Sequence, residues 1–89
     1  MSTTLHRIPA PQHLWDTFRR AGADHLLAKL TYERVCLVYA ADPNTEFSVR
    51  EGRSAELGRL CDAIKAARNA EQAAMTALAE AQRDHLMGS

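Results

Sequence analysis

The sequence has little of what most catalytic and ligand-binding sites need. Only 6% of its 89 residues are aromatic, and it contains two cysteines and four glycines. No two histidines have the i, i+4 spacing of a helical zinc site, the cysteines form no CxxC pair, and no glycine-rich phosphate loop is present. We therefore expect neither an enzyme nor a bound metal or cofactor.

The sequence also lacks a surplus of charge of either sign. Its 11 Lys and Arg residues balance its 11 Asp and Glu residues. A protein that binds nucleic acid ordinarily needs a basic surface that releases counterions. Two small basic spots, Arg19 with Arg20 and Arg50 with Arg53, keep a DNA-binding regulator as an alternative, but nucleic acid is not the expected partner.

Long apolar runs are missing as well. No stretch of about 18 apolar residues is present, so we expect no membrane span, and the first seven residues lack the apolar segment of a signal peptide. Cys36 and Cys61 lie in apolar or helical contexts and are typical of reduced thiols, not of a disulfide scaffold. These features predict a cytoplasmic protein.

The N-terminal half predicts two helices within a single domain. Two prolines make residues 1–11 irregular. Apolar spacing then predicts a helix over 12–21, which Gly22 would stop or kink. Asp24 can cap a second helix over 24–40.

Residues 34–50 allow a second interpretation. The apolar run 35–39 suits a buried strand, and 45–49 alternates with a period of two. A β-hairpin turning at the Asp-Pro-Asn segment 42–44 would then give an α-β-β-α fold. We prefer the helix, because helix-permissive residues lead into the apolar run without a break and an isolated two-stranded sheet is marginal.

The last segment predicts one long helix over 48–86, since it contains no proline. Ser48 and Glu51 have the spacing of a capping box. Such a helix would be about 58 Å long at 1.5 Å per residue. The expected fold is therefore all-α, a helical hairpin or three-helix arrangement with one long C-terminal helix, forming a single domain over 12–87.

Two apolar rows run along this helix. One has the alternating spacing of three and four that is typical of a coiled-coil seam, and alanine there lets two helix axes approach closely. Its members are Leu60, Ala63, Ala67, Ala70, Ala74, Ala77 and Ala81. The neighbouring row repeats every seven residues and consists of Leu57, Ile64, Glu71 and Leu78. One polar residue in such a row, here Glu71, can fix the alignment of two helices.

A second helix must cover these rows. Helix 12–21 would do so through Leu14, Trp15 and Phe18 if the chain kinks at Gly22. Otherwise a second copy would cover them in a homodimer, or the helix would be left open for a different partner protein. We take both rows, with Trp15 and Phe18, as the predicted interaction residues.

The predicted function is that of a small non-enzymatic protein-interaction module. An adaptor, regulator or inhibitor that binds a larger protein through helical surfaces fits the pattern best. Phage and mobile-element accessory proteins include compact neutral proteins of this kind, which is an association with size and not a physical inference. A structural or assembly subunit of a larger complex is the remaining alternative.

Overall fold

The structure, a computed structural model, describes residues 11–88, with side chains as far as residue 84. This part consists of two helices, α1 (Gln12–Ala41) and α2 (Phe47–Gly88), and contains no strand. Contacts join His25 to Glu71 and Tyr39 to Glu56, so the helices run antiparallel. The protein is a helical hairpin with extents of 71 × 18 × 13 Å.

The prediction of three helices is wrong, because α1 continues through Gly22 and Asp24 without interruption. Gly22 is half-buried and faces α2. A Cβ atom added to it would lie 3.1 Å from Oε2 of Glu71. The glycine therefore makes room for a side chain of the opposite helix and does not end its own. Of the predicted irregular segment 1–11, residues 1–10 lie outside the described residues.

The alternative β-hairpin over 34–50 is also wrong. Residues 34–41 belong to α1 and residues 47–50 to α2, and only 42–46 form the turn. In the helix, Val35 and Tyr39 are four residues apart and both are half-buried against α2. The apolar run that would suit a strand is therefore helical, and the side chains on one of its sides are buried against α2. In an isolated β-hairpin the same side chains would bury little surface.

The start of α2 differs from the predicted capping box. The helix begins at Phe47, so Ser48 lies inside its first turn. The N–H of Arg50 donates to the carbonyl of Glu46 at 2.9 Å, and the N–H of Glu46 donates to Oδ1 of Asn44 at 2.8 Å. The side chain of the turn asparagine therefore satisfies the backbone before the helix.

The core is narrow. Only Ala74 and Leu78 are buried among the described residues, at 8% and 5% exposure, and α1 has no buried residue. Two helices side by side can cover each other on one face only. The outward face of each helix therefore remains open to solvent or to a further layer of helices.

Candidate interaction surfaces

Buried and half-buried residues show where the two helices meet. Among them, one row on each helix recurs at alternating spacings of three and four, as in a coiled coil. On α1 this row is Leu14, Phe18, Ala21, His25, Ala28, Tyr32, Val35 and Tyr39. On α2 it is Arg53, Leu57, Leu60, Ile64, Ala67, Glu71, Ala74, Leu78 and Ala81. We call these two rows together the hairpin seam.

The predicted alanine seam is rotated relative to the hairpin seam. Its alternate members Ala63 and Ala70 are exposed and Ala77 is half-buried. The neighbouring row, Leu57 to Leu78, takes their place in the interface, beside the other members of the predicted seam, Leu60, Ala67, Ala74 and Ala81. Larger apolar side chains remove more surface from water than alanine does, so the helix turns its leucine and isoleucine row toward α1.

The cover over residues 60–81 comes from the same chain. Because α1 is unbroken at Gly22 and runs antiparallel to α2, its first half lies along the C-terminal half of α2. Trp15 and Phe18 are half-buried on this part of α1. Phe18, Leu57 and Leu78, three of the predicted interaction residues, therefore pack within the hairpin, and Trp15 is half-buried beside the hairpin seam.

A polar layer interrupts the hairpin seam. Nδ1 of His25 lies 2.7 Å from Oε1 of Glu71, and their side chains are 19% and 31% exposed. Oε2 of the same carboxylate fills the space beside Gly22. A carboxylate at an apolar position needs such a partner, and a single polar layer favours one alignment of the helices over shifted ones.

A second polar cluster closes the turn end of the hairpin. The Tyr39 hydroxyl donates to the Glu56 carboxylate, and the Arg53 guanidinium lies 4.6 Å from the Tyr39 ring centroid. Nη1 of Arg53 also donates to the carbonyl of Asp42 at 2.7 Å. The hydrogen bond to Glu56 raises the pKa of Tyr39 above its ordinary value of 10.0. These contacts tie the end of α1 to the first turns of α2.

Two thiols flank a tyrosine at the edge of the hairpin seam. Cys36 and Cys61 are half-buried free cysteines, one on each helix. The thiol of Cys36, and then that of Cys61, raises the pKa of Tyr32 above 10.0. Among the residues described, no group of three or more His, Cys, Asp or Glu side chains is arranged to hold a metal ion.

The outward face of α1 is an apolar surface that the sequence did not predict as an interaction site. Five of its large apolar side chains are more than half exposed, between 51% and 71%. They are Leu26, Leu27, Leu30, Leu37 and Val38, and we call them the outer stripe. At 100° per residue they cover an arc opposite the hairpin seam, with Ala23 and Ala41 extending it at both ends.

The sequence contains part of the signal for the outer stripe. As a helix, 24–40 places Leu27, Leu30 and Val38 near Thr31 and Val35, and this spacing suggests one shared face. In the structure, Thr31 and Val35 are half-buried against α2 while the other three are exposed. One helix can cover only part of so wide an apolar arc.

The predicted basic spots are partly neutralised. Nη1 of Arg19 lies 3.8 Å from Oδ1 of Asp16, and Nη2 of Arg53 lies 3.5 Å from Oδ2 of Asp42. Within residues 11–88, no helix is long and apolar enough to cross a membrane. The two ion pairs add no support for a nucleic-acid surface.

Comparisons with protein-family models, with curated proteins and with solved structures find no match to this chain.

Proposed function

We propose that this chain is a small non-enzymatic protein-interaction module, an adaptor, regulator or inhibitor, that docks through the outer stripe of α1. The occupant is another helix or helical surface, which lies on the leucines as an amphipathic helix lies in a groove. The hairpin seam then serves to hold α1 straight and to present this face.

The observation that carries the proposal is the double-sided character of α1. One side of α1 packs against α2, while the opposite side exposes five large aliphatic side chains. Single exposed apolar residues are ordinary on protein surfaces, but five large ones on one helix face, here on both sides of Arg34, are characteristic of an interaction site.

The size of the expected gain indicates what kind of partner can bind. Covering a side chain that is already about half exposed contributes about 1 kcal/mol, so the five side chains together contribute about 5 kcal/mol. Association costs about 4–15 kcal/mol in lost freedom. A partner must therefore bring a comparable apolar face of its own, which favours a helix over a polar surface.

The predicted interaction residues of α2 have a different role in this proposal. Most of the two predicted rows face α1 within the chain and are not free for a partner. Their contribution is to fix the hairpin, and a partner contacts the outward side of the neighbouring helix.

The experiment compares wild-type protein with a Leu30→Glu variant. Leu30 lies in the middle of the outer stripe and is 51% exposed, so the charge should leave the hairpin folded. We expect the variant to keep its helical circular dichroism and to lose the association that the wild type shows, measured by sedimentation and by capture from the cells that make the protein.

Met75→Glu is the matched control, since Met75 is 52% exposed but lies on α2. It should associate as the wild type does. Unchanged association of Leu30→Glu, or a wild type that associates with nothing in either assay, would contradict the proposal.

A further inference from the structure

We propose that the occupant of the outer stripe is the outer stripe of a second copy of this chain, with the two α1 helices antiparallel and a two-fold axis at Leu30. This inference rests on the proposed function, since it names the partner of the same surface. It predicts a four-helix assembly with the two α1 helices inside and the two α2 helices outside.

In this arrangement, the charged residues around the outer stripe of one copy are complementary to the same residues of the other copy. Lys29 and Glu33 lie along one edge; on the other side Asp24 lies at the edge, while Arg34 lies within the arc of the stripe, between Leu27 and Leu30. All four are exposed, and none takes part in an ion pair with another described residue. Each side of the outer stripe therefore carries one free charge of each sign.

Two-fold symmetry brings these charges together. In an antiparallel pair, an edge residue faces the same edge of the other helix at the mirrored position along the axis. With the axis at Leu30, each Glu33 meets Lys29 of the second copy, and each Arg34 meets Asp24 of the second copy. Both pairings are offset by about 3 Å along the helix, which long side chains span easily.

The apolar residues match in part under the same symmetry. Leu30 faces Leu30 of the second copy, and Leu37 faces Ala23 of the second copy at either end, while Leu26 and Leu27 lie level with Arg34 and Glu33 of the second copy. Where Leu37 meets Ala23, a large side chain lies opposite a small one, as close helix packing requires. The outer stripe and its extensions run from residue 23 to residue 41, with their midpoint two residues from the proposed axis, so self-pairing covers most of them, from residue 23 to residue 37.

An antiparallel pair agrees with the charges better than a parallel one. In a parallel pair, Glu33 would meet Arg34 of the second copy, but Lys29 would face no opposite charge. The antiparallel pair satisfies all four charged residues of each copy and also places the helix dipoles head to tail. Because both copies contribute an outer stripe, the apolar surface covered is twice that of one copy.

Charge reversal tests the pairing. By sedimentation equilibrium, we expect wild-type dimers to dissociate about tenfold more readily after Lys29→Glu, because two attractive pairs become repulsive. Glu33→Lys should have the same effect. An equimolar mixture of the two variants should form heterodimers as tight as the wild type, because each chain then meets its opposite charge.

The matched control is Lys65→Glu, which makes the same change of charge at an exposed position on α2 and should leave the dimer constant unchanged. If Lys29→Glu leaves the dimer intact, the antiparallel arrangement is overturned. A parallel pair would give that result, because Lys29 faces no opposite charge in it. A wild type that is monomeric at high micromolar concentration would overturn self-pairing altogether, whereas capture of another protein that Leu30→Glu abolishes would still support the proposed function.

Discussion

Replacement of Gly22 by alanine tests the polar layer of the hairpin seam. In the middle of a helix, alanine is ordinarily more stable than glycine by about 1 kcal/mol. At Gly22 the added Cβ would lie 3.1 Å from Oε2 of Glu71, which is closer than side-chain carbons usually come. The carboxylate must move away, although His25 holds its other oxygen at 2.7 Å.

The magnitude follows from these opposing effects. A hydrogen bond to a charged group contributes about 1.5–3 kcal/mol, less when its partners are partly exposed as here. Weakening that bond should offset most of the propensity gain, so we expect Gly22→Ala to change the free energy of unfolding by less than about 0.5 kcal/mol. Gly52 and Gly58 have open space where an added Cβ would lie, and alanine at either should stabilise by about 1 kcal/mol.

Urea unfolding followed by circular dichroism measures these differences in the free energy of unfolding. The same substitution made in a Glu71→Ala variant shows whether the Glu71 carboxylate causes them. With Glu71→Ala the carboxylate is gone, so Gly22→Ala should then stabilise by the full amount of about 1 kcal/mol. If Gly22→Ala stabilises the wild type as much as Gly52→Ala does, or by the same amount in both backgrounds, Glu71 is not held against Gly22 and the reasoning fails.

Two further predictions concern the turn cluster and the rotated seam. Glu56→Gln removes the carboxylate that favours the neutral Tyr39 phenol, so the alkaline absorbance titration of Tyr39 should move to lower pH. In the wild type, the contribution of this hydrogen bond to stability is complete below pH 10.0 and is lost as the pH rises through the higher pKa of folded Tyr39. An unmoved titration would argue against this hydrogen bond. Ala74→Glu should lower the free energy of unfolding by about 3 kcal/mol, because Ala74 is 8% exposed. Ala70→Glu, at an exposed position, should change the free energy of unfolding by less than about 0.5 kcal/mol. Equal effects in denaturant unfolding would restore the predicted alanine seam.

Local sequence signals were sufficient for the all-helical class and for the turn. The proline at residue 43 and the asparagine at 44 interrupt the helical pattern, and the chain reverses there. The helix preference over 34–41 is also confirmed, because residues 24–34 carry the helix into the apolar run without a break. These features depend on neighbouring residues, which a single sequence displays directly.

Gly22 shows where local signals were misleading. Glycine ordinarily favours a helix end, and nothing near it in sequence indicates that Glu71 lies opposite. The same holds for the choice between the two apolar rows of α2, which have the same period. Which residues face inward depends on the helix that covers them, and that helix is distant in the chain, 46 residues away at the contact between His25 and Glu71.

The two-sided character of α1 is most directly tested by distances between two copies. With spin labels on a variant in which Cys36 and Cys61 are serine, antiparallel pairing at Leu30 predicts separations of about 23 Å between the two Ala23 positions and about 34 Å between the two Ala41 positions, from the helical rise and the usual spacing of packed helices. Pulsed electron paramagnetic resonance resolves these values. Two equal, short distances would contradict the antiparallel arrangement, and the absence of any distance between copies would contradict pairing through the outer stripe.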